Sequence, residues 1–350
     1  MIKVLIVDDS ALIRQLLTHI LSQDPLIRVV GTASDPYVAR DKIKELEPDV
    51  LTLDIEMPRM DGLEFLDRLM RLRPMPVIMI STLTEAGADV TLRALELGAV
   101  DYVTKPVGMV VETLERYAEE IIAKVKMAAQ CRLRAGGGGR AVQRSVPKPA
   151  SLEIRGAADR LILLGASTGG TEAIKEVLKP LPPAMPPIII VQHMPPGFTA
   201  SFARRLDSLC RLHVKEGEHG ERPLPGHAYI APGGRHMVLT KAGGQYMLSL
   251  NDDETMNLHR PAVDKLFMSA LPYVGSNAIG VLLTGMGKDG ARGLLALRQA
   301  GVHTVVQDEE SCVVWGMPRE AAQIGAADAI LPLSGIADHL LSRLHARASA

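Results

Sequence analysis

Cysteine is scarce: the 350-residue chain holds three, Cys131, Cys210 and Cys312. They are odd in number and far apart, and no CxxC pair occurs. Neither a disulfide framework nor a cysteine zinc site is indicated. Aromatic residues make up only 3%, so the cores must be aliphatic and base stacking is excluded as a main activity. Neither charge dominates: 39 Lys and Arg face 40 Asp and Glu. A chain that coats nucleic acid or an anionic membrane carries a strong bias instead. The ten histidines lack HExxH spacing. No apolar run is long enough to span a bilayer. The opening MIKVLIVDDS meets two aspartates at once, as a buried strand does and a signal peptide does not. The expectation is a reduced, cytoplasmic, monomeric protein that binds no nucleic acid and inserts into no membrane.

What is present suits two globular cores. Hydrophobic residues reach 47%, and 350 residues are many for a single core. The texture breaks at RLRAGGGGRAVQRSVPKPAS, residues 132–151, where four glycines sit among arginines and no acidic residue occurs between Glu120 and Glu153. Such a segment buries too little apolar surface to order itself and reads as a flexible linker. The expected division is a first domain over 1–125, a linker over 126–157 and a second domain over 158–347.

Apolar runs alternate with helical patterns on both sides. The first domain has strands at Ile2–Val7, Val29–Ala33, Val50–Leu53, Val77–Ile80 and Tyr102–Val103, which predicts a five-stranded parallel sheet with helices on both faces. The second has strands near Leu161–Leu164, Ile188–Gln192, Ala228–Ile230, Ala278–Leu283, His303–Val306 and Ala329–Leu331. It reads as a larger, doubly wound, mostly parallel α/β domain with a hairpin over 235–251.

Ligands of open α/β sheets collect at the carboxyl ends of the strands. In the first domain those ends carry Asp8 and Asp9, Asp54, Ser81 and Lys105. Three carboxylates at one point repel and call for a cation, and an all-oxygen donor set suits Mg²⁺. One carboxylate can then attack phosphorus, with Lys105 and the Ser81 hydroxyl holding the transferred oxygens. A lone Asp at a strand end is usually only a turn or a helix cap; the joint arrangement is what points to chemistry.

In the second domain GASTG, residues 165–169, fits G-x-S-x-G between a strand and a helix, the context of a nucleophile elbow at Ser167. A phosphate-cradling turn and a plain glycine-rich connection compete with that reading. The full G-x-G-x-x-G fingerprint and the Walker loop are both absent. A serine nucleophile needs a base, and the base needs an orienter. His193 ends the apolar strand IIIVQ, and Asp289 lies in a glycine-rich turn after another buried strand. Alone, the first reads as a structural histidine and the second as a helix N-cap. Together with Ser167 they make a triad in the order Ser–His–Asp, which is not the order of α/β-hydrolases. Arg260 and His236 are weaker candidates for the substrate side, and His236 reads equally well as a loop cap.

VLIVDDS, LDIEMPRMDGLEFL, MIST and DYVTKP resemble the receiver domain of bacterial response regulators. GASTGGTEAI, QHMPPGFTASFARRL, GHAYIAPGGRHM, HRPAVDKLF, LLTGMGKDGARGLLALRQAG and SCVVWGMPREA resemble the catalytic domain of the chemotaxis protein-glutamate methylesterase family, CheB. The resemblance covers nearly the whole chain outside the glycine-rich segment. It implies a flavodoxin-like receiver with Asp54 as phosphoacceptor, Asp8 and Asp9 beside Mg²⁺, Ser81 and Lys105 sensing the phosphoryl group, and Tyr102 as an aromatic switch. It implies backbone oxyanion donors at Thr168 and Met286, and no cofactor for the esterase chemistry. The implied partners are chemoreceptors, as substrates for glutamate demethylation and glutamine deamidation, and a histidine kinase as phosphodonor. The implied control is a receiver that covers the approach to Ser167 until phosphorylated.

Two rivals differ in kind. A receiver with a DNA-binding output would need a basic recognition element, but residues 151–350 hold 19 acidic and 19 basic residues and no helix-turn-helix pattern. A receiver-regulated serine esterase or amidase acting on another substrate keeps the same residues and changes only the target.

Overall fold

The computed structural model describes residues 1–57, 60–82, 84–105, 111–131 and 156–346. The chain divides into two compact units, Met1–Ala141 and Val142–Ala350. Most of the expected linker, residues 132–155, lies outside the described residues. At its leading edge the last helix of the first unit runs on to Ala128, three residues into the segment expected to be linker.

The first unit alternates strand and helix: β1 (Ile2–Val7), α1 (Ala11–Leu21), β2 (Ile27–Ala33), α2 (Pro36–Leu46), β3 (Val50–Asp54), α3 (Gly62–Leu72), β4 (Val77–Ser81), α4 (Glu85–Glu96), β5 (Asp101–Thr104) and α5 (Val111–Ala128). Local chemistry sets the helix starts. The Asp35 carboxylate accepts from the N–H groups of Tyr37 and Val38 ahead of Pro36, and Asp61 accepts from Glu64 N–H. The strands pair in parallel in the order β2-β1-β3-β4-β5. β3 and β4 are buried throughout, as expected of central strands covered on both faces. This is the flavodoxin-like order, with its switch point between β1 and β3.

The second unit comprises β6 (Leu161–Ala166), α6 (Gly170–Leu178), β7 (Ile188–Gln192), α7 (Phe198–Leu209), β8 (His213–Glu216), β9 (His227–Ile230), β10 (His236–Ala242), β11 (Gln245–Asn251), α8 (Val263–Val274), β12 (Ala278–Leu282), α9 (Ala291–Gln299), β13 (His303–Gln307), α10 (Met317–Gln323), β14 (Ala329–Leu331) and α11 (Leu333–Ala346). Seven strands form one parallel sheet in the order β14-β13-β12-β6-β7-β9-β8, and β10 and β11 form a separate antiparallel hairpin. The chain order reverses between β6 and β12, which pair side by side. That junction is the switch point of the second sheet. β8 was not expected. Its residues HVKE alternate from exposed to buried at an edge, and a single buried valine gives no apolar run to read.

The second core is largely aliphatic, with Leu163, Ile189, Leu282 and Leu294 packed around the few aromatics, Tyr229 and Phe267. Among the described residues, no helix is long and apolar enough to cross a membrane. One close approach matters for the site. A Cβ at Gly165 would collide with both Val263 methyls, so the bare backbone of β6 lets the start of α8 sit directly on it. Gly165→Ala is expected to push α8 outward and lower the stability of the second unit by about 1–3 kcal/mol. Denaturant unfolding followed separately for each unit should show the first unit unchanged.

Candidate functional site

The switch point of each sheet carries a polar cluster. In the first unit Asp8 and Asp54 are almost wholly buried and Asp9 is exposed. Candidate ligand oxygens of the three carboxylates lie within 4.8 Å of one another. Lys105 Nζ lies 2.9 Å from Asp54 Oδ1 and 3.4 Å from Asp8 Oδ2. Asp8 Oδ1 accepts from Ser10 N–H at 2.8 Å. Asp8 Oδ2 and Asp54 Oδ2 are buried and accept no hydrogen bond. Two buried oxygens, Asp54 Oδ2 with no partner and Asp8 Oδ2 met only by the long Lys105 contact, in an all-oxygen donor set fit a hard divalent cation.

The electrostatics record that shortfall. Burial, and then the neighbouring Asp8 charge, push the Asp54 carboxyl up to about 6 against the pull of Lys105. Burial raises Asp8 as well. For Lys105, burial acts to lower the value, but the bond and charge of Asp54 override it and the net shift is upward. Ser81 is fully buried at the end of β4, and its Oγ lies 2.6 Å from Thr91 Oγ1. Its hydroxyl is thus engaged with α4. Tyr102 is turned inward and 6% exposed, with Lys124 Nζ 5.2 Å from its ring centre.

In the second unit three strand-to-helix turns bring Ser167, His193 and Asp289 into one hydrogen-bonded line. Ser167 follows β6. Its N–H donates to Thr284 O at 3.0 Å, and its carbonyl accepts from Gly170 N–H at 2.7 Å. Gly169 makes the turn with φ +74°, where a Cβ would strike Val313. His193 follows β7, and its Nδ1 lies 3.1 Å from Ser167 Oγ. Its Nε2 lies 2.8 Å from Asp289 Oδ2.

Asp289 is 1% exposed and is held by several donors. Val263 N–H reaches Oδ2 at 2.6 Å, Asp264 N–H reaches Oδ1 at 3.1 Å, and Asn257 Nδ2 reaches Oδ1 at 2.6 Å. Burial pushes this carboxyl up; His193, Asn257 and Val263 outweigh it and hold it below the ordinary carboxylate value. Asp289 therefore stays ionised and accepts the Nε2 proton, which leaves Nδ1 as the acceptor for the Ser167 hydroxyl. The ring nitrogens play opposite parts to those in the chymotrypsin triad, where Nε2 faces serine.

The helix-cap reading of Asp289 proves half right. Asp289 does cap a helix, but the helix is α8, whose own N-cap residue Ala262 offers no side-chain bond. Its own helix α9 begins after Gly290. Thr168 and Met286, the oxyanion candidates, sit on two turns tied together by Thr284. Thr284 Oγ1 donates to Thr168 O at 3.0 Å, and Met286 follows Gly285, whose N–H is committed to Val314 O.

Of the two readings of His236, the loop cap fits its surroundings and the substrate-side role does not. It is fully buried, and its Nε2 pairs with Glu254 O at 3.0 Å, so it braces a loop and has no exposed face for a substrate. Arg260 is exposed and donates to the carbonyls of Asp252 and Asp253, which staples the segment after β11.

The sequence reading passed over Gln192, Asn257, His259 and Thr284. Gln192 Nε2 donates to Ser167 O at 2.9 Å and to His193 O at 3.3 Å, tying the Ser167 turn to the His193 turn. A glutamine ending an apolar strand beside His193 was its signal. His259 stacks on His193, with ring centroids 3.7 Å apart and planes at 15°. Nothing local announces Asn257, which meets Asp289 across 32 residues.

The CheB methylesterase family matches residues 162–340, and the response regulator receiver domain matches residues 4–116. The chain is 57% identical over 347 residues to the protein-glutamate methylesterase/protein-glutamine glutaminase 3 of Burkholderia lata, covering 98% of this chain and 96% of that one. It is 56% identical over 347 residues to the counterpart from Nitrosomonas europaea, with the same coverage. The crystal structure of the Thermotoga maritima CheB methylesterase catalytic domain superposes with a TM-score of 0.52 at 42% identity, over 53% of this chain and 98% of that one.

The raised Asp54 carboxyl makes a testable statement about stability. A carboxyl raised on folding binds its proton more tightly in the folded state, so stability falls as pH rises through about 6. Without divalent cation, Asp54→Asn is expected to stabilise the first unit by about 1–3 kcal/mol at pH 7. The gain should vanish below roughly pH 4, where both folded and unfolded Asp54 are protonated. Denaturant titrations at the two pH values check it.

Proposed function

The chain belongs to the CheB methylesterase family and carries the receiver domain ahead of the catalytic domain, and from that premise we propose that it hydrolyses glutamate methyl esters on chemoreceptors, and deamidates glutamines there, under control of receiver phosphorylation. The observation that carries this reading is the continuous line Ser167 Oγ–His193 Nδ1 and His193 Nε2–Asp289, at 3.1 and 2.8 Å.

As Ser167 Oγ attacks the ester carbonyl, its proton passes to Nδ1, and the imidazolium keeps its Nε2–H on Asp289. The oxyanion develops beside Thr168 and Met286, whose backbone N–H groups are the donors in this reading. One such donor is typically worth about 3 kcal/mol. The Nδ1 proton then goes to the methoxide as methanol leaves. Water attacks the acyl-enzyme, giving its proton to Nδ1 and returning it to Ser167 as the glutamate carboxylate departs. With a glutamine side chain the same steps release ammonia.

In the receiver, an Asp54 oxygen attacks the phosphorus of a phosphohistidine presented by a histidine kinase, the P–N bond breaks and the kinase imidazole leaves, with Lys105 beside Asp54 to meet the transferred oxygens. A Mg²⁺ ion held by Asp8, Asp9 and Asp54 supplies positive charge against the phosphoryl oxygens when bound. The expected linker between about 126 and 157 lets the two domains respond to each other, and the control is a shift between inhibited and active populations.

Methanol release from methylated receptor membranes tests the whole reading. Ser167→Ala should lower the rate by roughly four to six orders of magnitude while leaving Asp54 phosphorylation intact. Near-normal turnover by that variant would sink the triad. A small-molecule phosphodonor should accelerate the full chain, and Asp54→Asn should neither accelerate nor take up acid-labile phosphate. A fragment starting near residue 152 should outpace the unphosphorylated full chain and ignore the phosphodonor. If that fragment is no faster, the receiver does not inhibit.

A further inference from the structure

We propose that the turn Met256–His259 is a brace for the triad: Asn257 fixes the Asp289 carboxylate and His259 fixes the plane of the His193 ring, so both are positioning residues for the esterase reaction. The proposal rests on the triad reading above and deepens it.

The turn is closed by a pair of backbone bonds, Met256 N–H to His259 O at 3.1 Å and His259 N–H to Met256 O at 2.9 Å. Between them Asn257 and Leu258 both take the left-handed conformation, with φ of +53° and +69°. Among the described residues only one other non-glycine, Glu47, has a positive φ. Asparagine tolerates this region; leucine does not take it without cost. Two such residues in succession persist only where the surroundings hold them. Leu258 does not repay that strain by packing, since it is 86% exposed. Its neighbours on either side make the contacts.

Asn257 Nδ2 donates to Asp289 Oδ1 at 2.6 Å and to Asp264 Oδ2 at 2.9 Å. Asp264 in turn accepts from Gly293 N–H at 2.7 Å. One amide therefore ties the Asp289 turn to the first turn of α8, and through Asp264 to α9. On the other flank, His259 lies face to face with His193. Ser167 and Asp289 constrain His193 only within its own plane, through its two nitrogens. A flat ring at 3.7 Å supplies the missing constraint: it resists tilting and keeps water off that face. Both matter as the proton moves, because Nδ1 must stay aligned on Ser167 while Nε2 stays on Asp289.

A fluorophosphonate probe isolates this role from receptor recognition. Ser167 Oγ bonds to phosphorus, the P–F bond breaks, fluoride leaves, and the hydroxyl proton passes to His193. In the full chain, His259→Ala and Asn257→Ala are expected to slow Ser167 labelling by roughly 10- to 100-fold. They should lower kcat for methanol release in parallel and leave KM for methylated receptor within about twofold. His259→Phe restores a flat ring and should recover to within about threefold of wild type. Circular dichroism and thermal unfolding accompany each variant, and the His259 pair stands independently if Asn257→Ala unfolds. Labelling of folded alanine variants at the wild-type rate overturns the brace. So does a phenylalanine variant as slow as alanine. Failure of the wild type to label at Ser167 marks a different fault: the triad reading itself falls, and the brace falls with it.

Discussion

The catalytic unit hangs on one carboxylate. Asp289 accepts from the His193 ring, from the Val263 and Asp264 amides at the start of α8, and from Asn257. Bonds to an ionised acceptor are the stronger kind, and here they substitute for the water that burial removes. The helix end contributes further, because its unpaired N–H groups and dipole favour negative charge. The result is an anion whose position is set from several directions before any substrate arrives. His193 inherits that position, and Ser167 inherits it through His193. The close approach of α8 to bare Gly165 is part of the same construction, since it sets where the Val263 amide points.

Both units place a polar cluster at a sheet's switch point, yet the two clusters balance charge in opposite ways. The Asp289 carboxylate is fully served and held below its ordinary value. The receiver carboxylates are under-served: Asp8 and Asp54 each keep a buried oxygen without a hydrogen bond, and both are raised. A saturated anion orients a neighbour and need not react. An unsaturated one gains from any cation or electrophile that enters. The contrast follows from the surroundings, a helix N-terminus in one unit and packed carboxylates with a single lysine in the other.

Much of this was legible in the chain itself. Strand–helix alternation with buried apolar runs gave eleven of the twelve strands that the described residues place in the two parallel sheets to within a few residues, because parallel strands covered on both faces have no polar face to blur the signal. Asp8, Asp54, Ser167 and His193 stood out as candidates because they lie at or just past strand ends, where topology gathers functional groups, and Asp289 because it lies in the glycine-rich turn between β12 and α9. What escaped depends on tertiary register. β8 is an edge strand with one buried apolar residue. Asn257 and His259 lie in a polar stretch that reads as an ordinary loop, and their contacts arise only when that loop folds back over the turns carrying Asp289 and His193. His236 could be read two ways from the chain, as a substrate-side group or as a loop cap, and only packing, which seals it against Glu254 O, favours the second.

In the proposed reading, with Asp54 as phosphoacceptor, the receiver's resting bonds also bound how far a phosphoryl group can shift it. Ser81 Oγ already bonds Thr91 within a buried pair. Turning toward a phosphoryl oxygen exchanges that neutral bond for a charge-assisted one. A neutral bond is worth about 1 kcal/mol net and one to a charged group about 1.5–3 kcal/mol. The exchange therefore yields roughly 0.5–2 kcal/mol, near a tenfold change in population. Lys105 adds less than its charge suggests, because it already pairs with Asp54 and Asp8 and must loosen one contact to strengthen another. A larger response requires a second element that changes its packing with the first. Tyr102 lies on the strand directly beside β4, with Met79 as its register neighbour. Its buried ring is the largest side chain of β5, and Lys124 of α5 lies 5.2 Å from its centre. In the proposed control, a shift worth about one bond reaches the surface of the domain only if it is coupled to repacking, because close-packed cores change between discrete arrangements and do not deform continuously.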